Sequence, residues 1–150
     1  MAPVKPSSPL GTASFRLGVL GAILTEAYGE LIDGLRLKHK HVGTLAVLDA
    51  LGPLSQQELA RTLRVAPSLV VTLADHLEGL GAIARERDAA DRRRQVLTLT
   101  DEGRRLLAEC AGLAAGLDAE FLSGLTAVQR AGLDTALDRL AARHLDIGGA

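Results

Sequence analysis

The stretch from residue 55 to residue 100 carries the pattern that most restricts how this chain can fold. It opens with a capping box, Ser55-Gln56-Gln57-Glu58, in which the serine hydroxyl and the glutamate carboxylate each accept from the other residue's backbone N–H. The pattern predicts a short helix over 56–63, a tight turn at 64–65 and a second helix over 67–80, which a proline can open. Two helices around so short a turn are typical of a helix-turn-helix unit.

Apolar residues fall where two crossing helices need to pack against each other. Ala60 lies where the helices approach most closely, so that only a small side chain fits. Arg64 occupies a turn position that glycine often holds, so the turn must accept a non-glycine backbone. The other positions predicted to form the interior of this unit are Leu59, Leu63, Val65, Val70 and Leu73.

The residue pattern changes after residue 82 from helical spacing to strand-like alternation, which predicts a β-hairpin. Ile83, Arg85 and Arg87 alternate along a short strand, 96–99 forms a second β-rich run, and the polar segment 88–94 predicts the loop. Five arginines lie in this loop and its flanks: Arg85, Arg87, Arg92, Arg93 and Arg94. An isolated run of this kind is usually a solvated loop, half neutralised by its own acidic residues. Beside a helix-turn-helix it predicts an arginine-tipped wing that reaches DNA, because guanidinium stays charged and spans acceptors in a fixed fork.

Helices are predicted on both sides of this unit. Apolar residues recur every three or four positions over 12–35, and a second helix is predicted over 42–51 after a charged connection at 36–41. A long helix begins at 100–102, and a last helix follows the capping box at 126–129. Four glycines interrupt the first helix: Gly18, Gly21, Gly29 and Gly34. They indicate either a bent helix or close approach by a partner helix or a ligand.

The chain as a whole has no electrostatic attraction to nucleic acid, because its formal net charge is −1. Any DNA binding must therefore come from charges arranged locally. Cys110 is the only cysteine, which fits a reducing cytoplasm. We expect no secretory signal, membrane span, cofactor or metal centre. We also expect no catalytic residues, since the chain has no Gly-rich phosphate loop and no nucleophile with an oriented base.

Six segments of the chain match the motifs of a known family. They are Leu-Ala (59–60), Val-Ala-Pro-Ser (65–68), Leu-Glu-Gly-Leu-Gly (77–81), Arg85, Asp-Ala-Ala-Asp-Arg-Arg (88–93) and Leu-Thr-Asp-Glu-Gly (99–103). They resemble the MarR family of bacterial regulators, over about residues 12–145 and most strongly over 55–103. The resemblance implies a cytoplasmic homodimer, nucleoid-associated when it is bound to DNA.

The predicted fold class is mainly α with a small β-hairpin wing, a winged helix-turn-helix with N- and C-terminal dimerisation helices. Residues 1–11 are expected to form a flexible N-terminal tail, because prolines recur along them. Residues 12–150 form a single MarR-type domain, in which 12–40 and 101–146 are dimerisation helices and 42–100 is the winged helix-turn-helix DNA-binding lobe.

By position, the resemblance puts Ser68 and Thr72 on the recognition helix where the family contacts DNA, and we expect His76 beside them to contact phosphate or solvent. Two residues depart from the family pattern. Ala66 stands where a capping serine or aspartate is common, and Thr72 stands where arginine is frequent. This face is therefore poor in positive charge, so we expect hydroxyls and water to carry the base readout.

The wing is expected to supply most of the affinity. Arg93 matches the family's wing arginine and Asp91 the aspartate that braces it. Arg92 and Arg94 are expected to contact phosphates, which would make binding strongly dependent on salt.

The resemblance also implies a small-molecule pocket between the dimer helices and the DNA-binding lobe. Arg16, His39 and His41 are the candidate ligand-binding residues, and Arg16 could pair with the carboxylate of an aromatic acid. The alternative for Arg16 is a surface charge. The two histidines are also candidate metal ligands, but residues two apart face one side only in an extended segment, and no third ligand is close in sequence. His144 or an acidic residue of a partner chain could supply one. Cys110 lies on an apolar helical stripe, where cysteine usually behaves as a small hydrophobe.

The expected function is a ligand-responsive, DNA-binding transcriptional regulator. Its most favoured form is a homodimeric repressor, released from a pseudo-palindromic operator in double-stranded DNA by a small molecule such as an aromatic acid. One alternative is a winged-helix protein-interaction module without DNA binding, for which so much positive charge at a wing tip has little use. The other is a metal-responsive regulator of the same fold.

Overall fold

Six α-helices and one β-hairpin make up residues 8–145, the part of the chain that this computed structural model describes. The elements are a 3-10 turn (Pro9–Gly11), α1 (Ala13–Asp33), α2 (His39–Leu51), α3 (Gln56–Leu63), α4 (Pro67–Gly79), β1 (Ile83–Arg87), β2 (Gln95–Leu99), α5 (Asp101–Phe121) and α6 (Ala127–His144). The predicted fold class, mainly helical with a β-hairpin wing, is confirmed. Residues 1–7 of the predicted tail and 146–150 of the predicted domain lie outside the described residues, whereas residues 9–11 form a turn rather than a tail.

Helix α1 begins at the predicted position because the Thr12 hydroxyl accepts from the Phe15 backbone N–H at 3.3 Å. The helix is continuous through its glycines. Two of them, Gly18 and Gly21, face open space, but a Cβ at Gly29 would lie 3.1 Å from Nε2 of His39. Gly29 is therefore the position where a small residue permits a close approach, and the approaching group is a side chain of α2.

Helix α2 begins three residues before the predicted start, so 39–41 are helical rather than part of a charged connection. The early start has a local cause: Nδ1 of His41, the third residue of the helix, accepts the Lys38 backbone N–H at 2.9 Å. In a capping box a glutamate or glutamine side chain usually makes this contact. The connection before it turns through Arg36, whose φ of 61° lies in the left-handed region.

The helix-turn-helix unit has the predicted bounds and interior. The Ser55 hydroxyl accepts from the Glu58 N–H at 3.2 Å, and the Glu58 carboxylate accepts from the Ser55 N–H at 2.8 Å. Arg64 adopts the left-handed conformation that the turn requires, with φ 54° and ψ 45°. The predicted interior residues are buried or half-buried in the core, with Leu59 and Val70 fully enclosed.

The hairpin pairs β1 with β2 in antiparallel register, from Ile83 opposite Leu99 to Arg87 opposite Gln95. Helix α5 then packs closely under the hairpin. A Cβ at Gly103 would lie 2.1 Å from the Ala82 carbonyl oxygen, so only glycine allows the first turn of α5 to approach the backbone there. The hairpin is thereby held on the helical core.

The outer helices leave much apolar surface uncovered. No residue of α6 is buried in the described chain, and α1 buries only Ile32. The exposed apolar side chains of these two helices include Phe15, Leu17, Val19, Leu20, Ile23, Val128, Leu137 and Leu140. They belong to the segments predicted to form dimerisation helices. Within residues 8–145, no helix is long and apolar enough to cross a membrane.

Candidate nucleic-acid interface

Helix α4 presents an outward face without cationic side chains. Ser68, Val71, Thr72 and Asp75 are exposed on it, and Thr72 donates its hydroxyl hydrogen to the Ser68 carbonyl at 3.3 Å. The N-cap, Ala66, makes no side-chain capping hydrogen bond. As expected, this face is poor in positive charge. Its outward groups nearest the start of the helix are two hydroxyls and one valine.

His76 lies on α4 but is directed away from this face. Residues eight apart on a helix differ by roughly 80° in direction, so His76 does not continue the line that begins at Ser68. Its Nε2 lies 2.6 Å from the Arg36 carbonyl oxygen, and its ring stacks on His41 with a centroid separation of 4.2 Å. Since a carbonyl only accepts, Nε2 carries the hydrogen. A phosphate contact by His76 would require these interactions to open.

The surroundings of His41 favour its neutral form. Burial lowers the pKa of the His41 imidazole, and the charges of His76 and Lys38 lower it further. The neutral ring is also the form that accepts from the Lys38 N–H. His41 thus joins the start of α2 to α4 and does not line the cavities beside α1 that are described below.

The tip of the wing projects Arg92 and Arg93. The Arg93 side chain is 98% exposed, and its Nε lies 3.8 Å from Oδ1 of Asp91. The same Asp91 oxygen accepts the Arg93 backbone N–H at 3.0 Å, and the Asp91 carbonyl accepts the Arg94 N–H at 2.9 Å. Asp91 therefore shapes the loop from which both arginines extend.

Two of the five hairpin arginines are paired with carboxylates of α4 and α3. Arg85, with 19% of its side chain exposed, donates to Asp75 at 2.6 Å and to Glu78 at 2.8 Å, both on α4. Arg94 pairs with Glu58 at the start of α3 and lies 3.5 Å from Asp88. The expected phosphate contact of Arg94 would need these ion pairs to break. The pairings with Asp75, Glu78 and Glu58 were missed from the sequence because those carboxylates belong to α4 and α3.

Glu58 joins the capping box to the wing. The Ser55 backbone N–H, above all, lowers the pKa of the Glu58 carboxyl group, and the guanidinium of Arg94 lowers it further. The carboxylate is therefore charged when it caps α3 and pairs with Arg94. The start of α3 and the root of the wing are joined by one side chain.

Arg61 is a further cation of this surface that the sequence reasoning did not single out. It is exposed in the last turn of α3 and lines a shallow depression with Gln57, Ala60, Arg64, Val65 and Pro67, next to the start of α4. The first helix of a helix-turn-helix crosses the DNA backbone, and Arg61 is exposed on that helix.

His39 and Arg16 lie in different places on the molecule. His39 packs against Tyr28, and its Nε2 donates to the Thr25 carbonyl at 2.9 Å. It lines a cavity of about 240 Å³ between α1 and α5, together with Leu24, Thr25, Tyr28, Ala114, Leu117 and Asp118. Arg16 is exposed on the first turn of α1, roughly 18 Å along the helix from Tyr28 at about 1.5 Å per residue.

A second, larger cavity of about 650 Å³ adjoins the first and shares Leu117 with it. Its polar lining residues are Glu30 and Glu120, and neither cavity has an arginine or lysine among its lining residues. Cys110 is buried nearby, where Tyr28 Oη donates to its carbonyl at 3.1 Å and burial raises the pKa of its thiol. Cys110 packs as part of the core, as expected.

The histidines do not converge on a metal site. In the first turn of α2, His39 faces α1 and His41 faces α4, so the extended geometry that would bring them to one side is not present. Nowhere in residues 8–145 do three His, Cys, Asp or Glu side chains group in a way that could hold a metal ion. The metal-responsive alternative gains no support from this geometry.

A helix-turn-helix followed by an arginine-bearing wing defines a winged-helix DNA-binding protein. Residues 37–94 match the sequence model of the MarR family. The HTH-type transcriptional repressor Rv2887 of Mycobacterium tuberculosis is 32% identical over 133 residues, which span 89% of this chain and 94% of the relative. The chain belongs to the MarR family and is a DNA-binding transcriptional regulator, not an enzyme.

Solved structures agree in fold. The transcriptional repressor CouR bound to a 23-mer DNA duplex is 29% identical, with a TM-score of 0.73 over 94% of this chain and 98% of that one. CouR from Rhodococcus jostii RHA1 bound to p-coumaroyl-CoA is 23% identical, with a TM-score of 0.74 over 93% and 97%. Membership of a family of DNA-binding regulators sets aside the alternative of an interaction module without DNA binding.

Proposed function

We propose that this regulator is a homodimeric repressor whose two winged lobes bind a pseudo-palindromic operator. The observation that carries the proposal is the uncovered apolar surface of α1 and α6, because soluble monomers rarely expose large apolar patches. Covering it with a second copy would make 12–40 and 101–146 the dimerisation helices and leave 42–100 as the DNA-binding lobe. The relative Rv2887 is itself named a repressor.

In this proposal the DNA-contacting set is divided between two elements. Ser68 and Thr72 would face base edges from α4, and Arg92 and Arg93 would reach the backbone or the minor groove from the wing. Arg61 joins them as a phosphate contact. His76 and Arg94 are engaged by partners of the lobe and are left out of the set.

The test is the stoichiometry of the complex. We expect sedimentation equilibrium with a duplex from the chain's own upstream region to give two chains per duplex, on half-sites about one helical turn apart. Leu137→Asp should dissociate the dimer and weaken DNA binding, because it puts a charge into the proposed interface. Leu51→Asp is the matched control, since Leu137 is 45% exposed and Leu51, at the end of α2, is 50% exposed. One chain per duplex, or equal behaviour of the two variants, would contradict the homodimer.

We propose further that the effector is an aromatic small molecule that binds in the cavity beside His39. Tyr28 and His39 offer ring surfaces there, and CouR provides a relative of the same fold that holds p-coumaroyl-CoA. Asp118 lines this cavity, and no lysine or arginine balances it, so a free carboxylate would be repelled. The cavity thus favours an aromatic ligand whose acid group is masked as an ester or thioester over the aromatic acid expected from sequence.

Two alanine variants separate the candidate effector residues. With p-coumaroyl-CoA and a panel of aromatic acids as probes, His39→Ala should lose effector-dependent release from DNA while it keeps its DNA affinity. Arg16→Ala should respond as the wild type does, because Arg16 lies far from the cavity along α1. Release lost in Arg16→Ala and retained in His39→Ala, measured by fluorescence anisotropy of labelled DNA, would place the effector elsewhere.

A further inference from the structure

The outward face of α4 lacks the side chains that read purines. Arginine and lysine make the usual bidentate contacts to guanine, and asparagine and glutamine make those to adenine. None of these four residue types occurs in α4, Pro67–Gly79. This helix therefore cannot make the usual bidentate contacts to a purine edge.

The polar groups that α4 does carry are largely engaged within the protein. Asp75 and Glu78 could accept from a cytosine amino group, but both pair with Arg85, at 2.6 and 2.8 Å. Thr72 donates its hydroxyl hydrogen to the Ser68 carbonyl of the preceding turn. What Thr72 can still offer outward is its methyl group and the lone pairs of its oxygen.

Val71 is the apolar group left on this face. It is 42% exposed beside Thr72, about one turn after Ser68, whereas Leu73, two residues further on, is 5% exposed in the core. A β-branched side chain in a helix is nearly fixed in one rotamer, so its methyl groups stand at a defined place. The thymine C5-methyl is the apolar feature of the major groove that such a group can contact.

We propose that Val71 packs against a thymine C5-methyl and so selects an A·T pair at one position of each half-site. The inference rests on the DNA-binding role proposed for α4 and names the base that this helix reads. Recognition is then by shape and methyl burial rather than by a bidentate hydrogen bond. Loss of one buried methyl costs about a fourfold change in affinity.

Replacement of thymine by uracil tests this directly, because deoxyuridine lacks the C5-methyl and keeps its Watson–Crick edge. The operator is first located by footprinting in the chain's own upstream DNA, and its thymines are then replaced one at a time. We expect one thymine in each half-site whose replacement weakens the wild-type protein about fourfold. Val71→Ala should bind the thymine and uracil duplexes equally.

Leu51→Ala provides the control, since it also shortens an exposed apolar side chain to alanine, at a position 50% exposed at the end of α2 and outside the proposed dimer interface. It should keep the wild-type preference for thymine over uracil. Equal wild-type affinity for every uracil duplex, or an unchanged preference in Val71→Ala, would overturn the inference while the DNA-binding function stands. If no upstream duplex is bound at all, both the inference and the proposed function fail.

Discussion

Arg85 and Arg93 belong to the same hairpin but meet different surroundings. The Arg93 side chain is almost fully exposed, whereas Arg85 spans two carboxylates of α4. A guanidinium can bridge Asp75 and Glu78 because its donors form a rigid planar fork. We infer that Arg85 is a positioning residue that fixes the wing relative to α4, and that Arg93 is a contact residue.

Arg85→Lys tests this division, because lysine keeps the charge and loses the fork. DNA affinity should fall about threefold to tenfold as the wing loses its fixed orientation, while the salt dependence stays unchanged because no phosphate contact is removed. Arg105→Lys is the control: Arg105 also spans two carboxylates, Glu102 and Glu109, but all three lie on α5. If the slope of log K against log salt became shallower by about one in Arg85→Lys, Arg85 would instead contact a phosphate.

At the scale of elements, the usual local signals gave correct predictions, whereas an unusual local cap and a contact between residues distant in sequence were missed. The bounds of α3 and the first residue of α4 follow from a capping box and a proline, both of which act within one helical turn. The start of α2 was missed because a histidine ring at its third residue accepts the Lys38 backbone N–H, a role that glutamate or glutamine usually fills. The pairing of Arg94 with Glu58 was also missed, because only the tertiary fold brings α3 to the wing.

The apolar stripe of α1 shows a similar limit. Its spacing predicted a helix, and a helix is present, but most of the stripe is exposed in the single chain. Periodicity identifies the face that must be covered and carries no information about what covers it. The same holds for the candidate site: the sequence placed Ser68, Thr72 and Arg93 on exposed surfaces, but not the inward direction of His76.

At the scale of the whole molecule, the charge balance means that DNA binding depends on a few locally placed cations. With a formal net charge of −1, the protein has no long-range attraction to a polyanion, and α4 adds no cation. Of the hairpin arginines, two pair with carboxylates of the lobe, so most of the charge offered to DNA comes from the exposed wing tip, with Arg61 of α3 beside it. The central claim is that the affinity of this regulator for DNA depends on the wing.

The most direct test is the salt dependence of binding to the upstream duplex, compared between wild type and Arg93→Ala. If Arg93 neutralises one phosphate in each lobe, the negative slope of log K against log salt should become shallower by about 0.9 per lobe in Arg93→Ala. The affinity for DNA should fall as well. A variant that binds as tightly as the wild type with an unchanged slope would contradict the account, because the wing would then not be where the protein holds DNA.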